Sequence, residues 1–284
     1  MTAVRTVALA LPRIQETYES QDHPKRECLV IERKELAALL MTAGFVAADD
    51  EALELVEHAD GDEVELASLV DRRLRGEPIA WVVGYATFCG LRVNVREGVY
   101  VPRWQSEPLA RRAAERLPAD GVAIDVCSGS GAIAVVLHAQ RPGARILATD
   151  LDAWAVECAT SNGVEVYRGD LFAPLPHGLD GTVDVIVGVV PYVPTPSLSL
   201  LPRGTFDFET TLSYDGGAEG VDVLRRVIRD SSRYLRSGGA LLLELGGDEA
   251  QILRRDLESY GYGEIVILRD DDGDVRGIEA TFRP

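Results

Sequence analysis

Apolar residues recur at helical spacing over the first quarter of the chain, and give way to alternating and continuous apolar runs after it. Leu36, Leu39 and Leu40 share a stripe within 32–43; Leu53, Val56 and Ala59 do so within 49–59; Leu66, Leu69, Val70 and Leu74 continue the period until Gly76-Glu77-Pro78 ends it. This predicts a helical domain over 1–75. It carries no catalytic constellation, which suits a substrate-docking or lid element. Between Ile79 and Val101 the pattern turns aromatic and β-branched: Trp81 to Phe88, a Cys89-Gly90 break, then Leu91 to Val95. That reads as a linking β-hairpin within 76–104. From Val122 to the C-terminus strands and helices alternate, with strands expected at 122–126, 145–149, 164–168, 183–189 and 240–245. Two late strands, 264–269 and 278–283, are joined too closely for a crossover and must pair antiparallel. The expectation for 105–284 is an α/β domain with a seven-stranded, mostly parallel, Rossmann-like sheet.

Composition narrows the partners. Lys+Arg 29 against Asp+Glu 46 leaves a net charge of −17, which repels phosphate backbones and anionic membranes, so no nucleic acid and no membrane is expected to bind. Arg225, Arg226, Arg229, Arg233 and Arg236 recur at helical spacing and read as a solvated helix face. Cys28, Cys89, Cys127 and Cys158 form no Cys-x-x-Cys pair, and the histidines form no ligand pair, so neither a metal site nor a disulfide framework is expected. The acid run Asp270 to Asp274 lacks the spaced ligands of a calcium loop and reads as a solvated turn. With no secretory leader and no membrane-length apolar run, a reduced cytoplasm and a monomer or dimer are expected.

The chemistry starts at Asp125-Val126-Cys127-Ser128-Gly129-Ser130-Gly131, a strand end running through a glycine turn into a helix, where backbone N–H groups can face a ligand. Asp150 follows at the next strand tip, placed to accept ribose hydroxyls. Alone, this motif fits a nicotinamide dinucleotide as well as S-adenosylmethionine. Three features favour the latter. Asp170, with Leu171 and Phe172, suits an adenine amine and ring; the fourth strand ends in Val189-Val190-Pro191-Tyr192; and an antiparallel pair closes the sheet.

Along nearly its whole length the chain resembles the protein glutamine methyltransferases that modify release factors. The matching stretches are the helical leader, Gly76-Glu77-Pro78-Ile79-Ala80, Val101-Pro102-Arg103 with Glu107, the Asp125 to Gly131 loop, Asp150, Asp170, Pro191-Tyr192, Phe208-Glu209 and Asp215 to Gly220. The resemblance implies S-adenosyl-L-methionine as cofactor and N-methyl transfer to a planar nitrogen. It implies that Asp125, Gly129 and Gly131 line the methionine moiety, Asp150 the ribose and Asp170 the adenine. Arg103, Cys127, Leu151, Leu171 and Val189 would stand beside the cofactor, and Val190, Pro191, Tyr192 and Glu209 would serve the acceptor.

The departures bear on the acceptor. Cys127 replaces a loop glycine, a mild change where the backbone keeps ordinary dihedral angles. Trp104-Gln105 replaces a Pro-Asp pair. Val189 stands where the resemblance puts the Asn of Asn-Pro-Pro-Tyr, whose side-chain oxygen and the next carbonyl accept both N–H groups of an amide and aim its nitrogen. Losing that acceptor costs about 1–3 kcal/mol. One reading keeps a release-factor-like protein acceptor, its glutamine amide still methylated while held by the Val190 carbonyl and another acceptor; the other has the pocket repurposed, with release-factor glutamine a poor acceptor. The alternatives are the guanidinium of free arginine, held by Glu209, Glu107 or Glu77, another small-molecule nitrogen, or a protein that binds cofactor without turnover. Nucleic-acid adenine is disfavoured by charge, and a serine hydrolase by the absence of Gly-x-Ser-x-Gly.

Overall fold

The computed structural model describes residues 33–201, 205–247, 249–270 and 272–284. The start of the first expected helix, and Cys28, lie outside the described residues. Three helices, α1 (Arg33–Thr42), α2 (Ala48–Ala59) and α3 (Glu63–Leu74), bury the apolar stripes read from the sequence around Leu36, Leu40, Leu55 and Leu69. Asp62 caps α3 by accepting the N–H groups of Val64 and Glu65, which satisfies two donors of its first turn.

The expected hairpin is shorter than its β-branched run. Ile79–Val83 is a helical turn, α4, and only β1 (Tyr85–Phe88) and β2 (Leu91–Asn94) pair. Pro78 opens α4 and Gly84, in the left-handed region at φ 80°, closes it. Packing overrides local preference here: Ala80 and Trp81 bury against Val95 and Val101, while Val82 and Val83 bury in the core of α1 to α3. The Trp81 indole N–H donates to the Val99 carbonyl at 2.9 Å.

After α5 (Glu107–Arg116) come β3 (Val122–Val126), α6 (Ala132–Gln140), β4 (Arg145–Asp150), α7 (Ala153–Ser161), β5 (Glu165–Arg168) and β6 (Val183–Gly188). They are followed by α8 (Thr205–Phe208), α9 (Asp222–Tyr234), β7 (Leu235–Glu244), α10 (Glu249–Ser259), β8 (Tyr262–Arg269) and β9 (Val275–Phe282). The seven-stranded sheet runs β5-β4-β3-β6-β7-β9-β8; β3 to β7 pair in parallel, and β9 is antiparallel to both neighbours, as the sequence predicted. Its strands read as continuous apolar runs because both faces are covered. Ile124, Val126 and Ile186 face Leu224, Ile228 and Leu253 of α9 and α10, while Ala123, Val185 and Val187 face Ala113, Ile133 and Leu137 of α5 and α6.

One further boundary differs from the sequence reading, and two expected features gain detail. β7 starts five residues before Ala240, passing Gly238-Gly239 with a register shift between Val183 and Val185. The arginine row lies exposed and is laced with ion pairs: on α9 Arg225 meets Asp256, Arg226 meets Asp170 and Arg233 meets Asp180, and at the start of β7 Arg236 meets Asp184. Half-exposed pairs of this kind contribute little stability each. The acid turn is organised by Asp270, whose Oδ1 accepts the N–H groups of Asp272 and Asp274 while Arg276 pairs with its carboxylate. The order of strands matters for function. Chain connections leave β3 toward β4 on one side and return at β6 on the other, opening a crevice at the strands' carboxyl ends.

Candidate active site

That crevice is a cavity of about 480 Å³. It gathers most residues singled out from the sequence: Arg103, Asp125, Cys127, Gly129, Asp150, Leu151, Asp170, Leu171, and the whole corner Val189, Val190, Pro191 and Tyr192.

The glycine turn bends left-handed three times, at Cys127 (φ 57°), Gly129 (φ 56°) and Gly131 (φ 78°). Cys127 therefore does not meet the condition under which its substitution for glycine would be mild: a side chain in that region costs on the order of 1 kcal/mol or more. Burial and the neighbouring Asp150 and Asp125 push its thiol up, so it stays protonated. At Gly129 an added Cβ would have only the Tyr100 carbonyl within reach, at 4.0 Å, so the loop is open to the cavity there. Gly131 serves packing instead. A Cβ would sit 3.0 Å from Val164 and 3.1 Å from Ala159, and it is not a wall residue. Asn162, at the end of α7, locks this loop to the hairpin: its amide donates to the carbonyls of Ser130 and Asn94, both at 2.9 Å, and accepts from the Asn94 N–H.

Asp150 holds the loop directly, accepting the Gly129 N–H at 2.8 Å and the Asp152 N–H at 2.9 Å. Burial raises its pKa against these two bonds. Asp125 is 1% exposed, accepts one backbone N–H from Ala134 at 3.2 Å, and is pushed up to about 8, first by burial and further by the charge of Asp150. Two hydroxyls in the same wall, Ser128 Oγ and Thr149 Oγ1, are buried with no hydrogen-bond partner. Buried polar atoms of this kind call for a partner. A loop open to the cavity at Gly129, a carboxylate at the next strand tip and two unpaired hydroxyls fit S-adenosylmethionine: Asp125 and the loop would hold its amino-acid end, Asp150 its ribose, and Asp170 with Leu171 its adenine. Asp170 is paired with Arg226 at 2.6 Å, and both lie on the wall.

Opposite the glycine turn stands the Val189 to Tyr192 corner. Gly188 leads into it because any side chain would come within 2.6 Å of Val126. Tyr192 donates its hydroxyl to Glu244 Oε1 at 3.3 Å, and Ser106 donates to the other oxygen at 2.5 Å. Burial raises the pKa of both Glu244 and Tyr192. A second polar cluster braces the mouth. Glu209, 4% exposed, accepts from the Val101 N–H at 3.0 Å, from Arg103 at 2.7 Å and from the Tyr214 hydroxyl. The Arg103 guanidinium lies 4.9 Å from the Tyr100 ring centre, and Tyr100 packs edge-on against Tyr214 at 5.6 Å.

This corrects the expectation for the carboxylates. Glu209 is saturated by three donors and stands behind Arg103 rather than on the wall. Glu107 accepts the Cys89 N–H and pairs with Arg111; Glu77 pairs with Arg72. None of the three faces the cavity. Among the cavity walls that sequence reasoning missed are Tyr100, Leu212 and Tyr214, with Glu244 behind Tyr192. For Glu244 a signal existed: it is the one acid inside the apolar run 240–245.

Sheet order, turn and wall chemistry together define an S-adenosylmethionine-dependent methyltransferase. No family model matches the chain. It is 37% identical over 244 residues to the release factor glutamine methyltransferase of Mycolicibacterium smegmatis, covering 82% of this chain and 81% of that one. It is 35% identical over 188 residues to the 4-amino-L-phenylalanine/4-methylamino-L-phenylalanine methyltransferase of Streptomyces pristinaespiralis, covering 62% and 64%. A methyltransferase from Pyrococcus furiosus shares the fold, with a TM-score of 0.50 at 18% identity over 77% of this chain and 100% of that one. The chain belongs to the release factor glutamine methyltransferase family, and it is an S-adenosylmethionine-dependent N-methyltransferase.

Proposed function

We propose that this enzyme methylates a neutral planar nitrogen that enters at the Val189 to Tyr192 corner and is held through the Val190 carbonyl. The observation that carries this is that Val189 brings no side-chain acceptor to a cavity whose wall includes Tyr100, Tyr192, Tyr214 and Leu212. A guanidinium is disfavoured, since Glu77, Glu107 and Glu209 are each committed to an arginine. Bound cofactor supplies an electrophilic methyl on a sulfonium; the chain's contribution is to exclude water, fix the nitrogen and present its lone pair.

Family membership favours a glutamine side-chain amide in a protein acceptor, with the helices of 33–74 as the docking element. Without the Asn-type clamp we expect that reaction to run about tenfold to a hundredfold slower than with it. The aromatic walls favour a second reading, an amino group on an aromatic ring, the kind of acceptor named for the Streptomyces relative. Such a nitrogen is planar and its ring can rest on tyrosine faces.

The test offers the full chain a glutamine-containing peptide, 4-aminophenylalanine and free arginine with methyl-labelled S-adenosylmethionine, and reads label on nitrogen by mass spectrometry. Transfer to either supports N-methylation at this corner, and the ratio of kcat/KM values ranks the two acceptors. Transfer to arginine alone refutes the reading.

A further inference from the structure

We infer that Glu244 is a positioning residue for the acceptor: it takes the hydroxyl hydrogens of Ser106 and Tyr192, so that these two members of the cavity wall meet an entering N–H with oxygen lone pairs. The inference rests on the proposed acceptor corner and deepens it, drawing from hydroxyls the acceptor that Val189 does not bring.

Glu244 ends β7, one residue beyond the pairing of Leu243 with Gly188, so it stands beside the point where β6 runs into the Val189 to Tyr192 corner. It is 6% exposed and lies behind the wall rather than on it. Ser106 and Tyr192 both line the cavity, and they reach the same carboxylate from opposite ends of the domain: Ser106 donates to Oε2 at 2.5 Å and Tyr192 to Oε1 at 3.3 Å. Among the described residues no arginine pairs with Glu244, since Arg276 on the neighbouring strand is committed to Asp270 and Asp274. A carboxylate buried without an ion-pair partner beside a cleft marks a functional group more readily than a structural one.

A hydroxyl has one hydrogen and two lone pairs. Once Ser106 and Tyr192 spend their hydrogens on Glu244, a group that reaches either oxygen from the cavity finds an acceptor. A side-chain amide in place of the carboxylate could not arrange this: its oxygen would take one hydroxyl, but its NH2 would donate to the other and free that hydroxyl's hydrogen to point elsewhere. Two hydroxyl donors call for a carboxylate, and that accounts for an acid inside the apolar run 240–245. In the transfer the nitrogen lone pair bonds to the methyl carbon, the carbon–sulfur electron pair stays on sulfur, and one N–H proton leaves to water. Positive charge gathers on nitrogen along the way, where hydroxyl oxygens polarised by a carboxylate favour it.

Protonation reverses the arrangement. A carboxylic acid donates to one of its two hydroxyls, whose own hydrogen is then turned away from Glu244. Burial holds the Glu244 carboxyl above the ordinary carboxylate range, against the bonds from Ser106 and Tyr192 and the charge of Arg276. The other ionisable groups around it are Tyr100, which feels its charge, Glu249 of α10, whose charge reaches Tyr192, and Glu279 on the same face of β9, which is held by Arg112 and Arg116 of α5. Acceptor turnover therefore falls as pH is lowered through the raised pKa of Glu244.

The experiment measures kcat on the full chain at saturating S-adenosylmethionine, which takes cofactor binding out of the profile, with a glutamine-containing peptide and 4-aminophenylalanine as probes over about pH 5 to pH 8. The wild-type rate is expected to fall on the acid side. Glu244→Gln is expected to lower kcat at pH 8 at least about tenfold, to lose that acid limb, and to keep its cofactor dissociation constant within about twofold by calorimetry. Ser106→Ala and Tyr192→Phe, each with one hydroxyl fewer, are expected to lower kcat while keeping the limb. A wild-type kcat that stays flat over this range overturns the inference without any variant, and so does an acid limb or a full rate retained in Glu244→Gln; each leaves the proposed function intact. Failure of the wild-type enzyme to methylate either probe counts against the proposed acceptors, and against this inference with them.

Discussion

Cofactor affinity should rise steeply with pH, because Asp125 must ionise to do its part. Its carboxyl is enclosed at the end of β3 with one backbone hydrogen bond, and burial outweighs that bond to push it up to about 8. The cationic amino group of S-adenosylmethionine favours the ionised form, so binding draws the pKa down and releases a proton. With a pKa near 8, about one carboxyl in a hundred is ionised at pH 6 and half are at pH 8, so affinity gains up to roughly fiftyfold over that window. The sign for stability runs the other way. In the free protein the folded-state pKa lies above the unfolded value of about 3.9, so the folded form holds this proton more tightly, and the stability it confers is lost progressively as pH climbs from about 4 to about 8. Isothermal titration calorimetry at pH 6, 7 and 8, in two buffers of different ionisation enthalpy, reads both the affinity and the released proton. Asp125→Asn should flatten the profile. A dissociation constant unchanged between pH 6 and pH 8, with no proton released, would refute the reasoning.

Asp150→Ala removes the acceptor of the Gly129 and Asp152 N–H groups as well as the proposed ribose partner, and should weaken S-adenosylmethionine binding at least about tenfold in the same calorimeter. Glu209→Gln leaves Arg103 without its charge partner beside Tyr100 and should lower stability by about 1–2 kcal/mol, discounted for the half-exposed arginine, with a matching fall in the thermal midpoint. A chain beginning at Gly76 uncovers Val82 and Val83, so it should melt lower yet bind cofactor within a few-fold of the full chain while losing acceptor turnover; full turnover would exclude a docking role for α1 to α3.

The sheet was legible because its strands are buried on both faces and so read as unbroken apolar runs, and the closing pair because its connection is too short for a crossover. The cofactor side was legible for a local reason: a glycine turn and the acids at successive strand tips each sit in one short stretch of sequence. The acceptor side was not. Tyr100 meets Tyr214 and Arg103 meets Glu209 across more than a hundred residues of chain, so only the folded chain shows that Glu209 is spent on Arg103. α4 was misread as strand because β-branched residues dominate it, and the buried surfaces on its two sides, rather than its own preference, decide its shape. Cys127 shows the converse: its identity was plain in the sequence, but its left-handed backbone was not.

A crystal structure with S-adenosylhomocysteine bound tests the central claim most directly. The account predicts the ribose hydroxyls on Asp150, the adenine amine on Asp170 with Arg226 displaced from it, and the thioether sulfur facing Val189 to Tyr192 across the cavity. A nucleoside bound elsewhere, or a sulfur turned away from that corner, would contradict it.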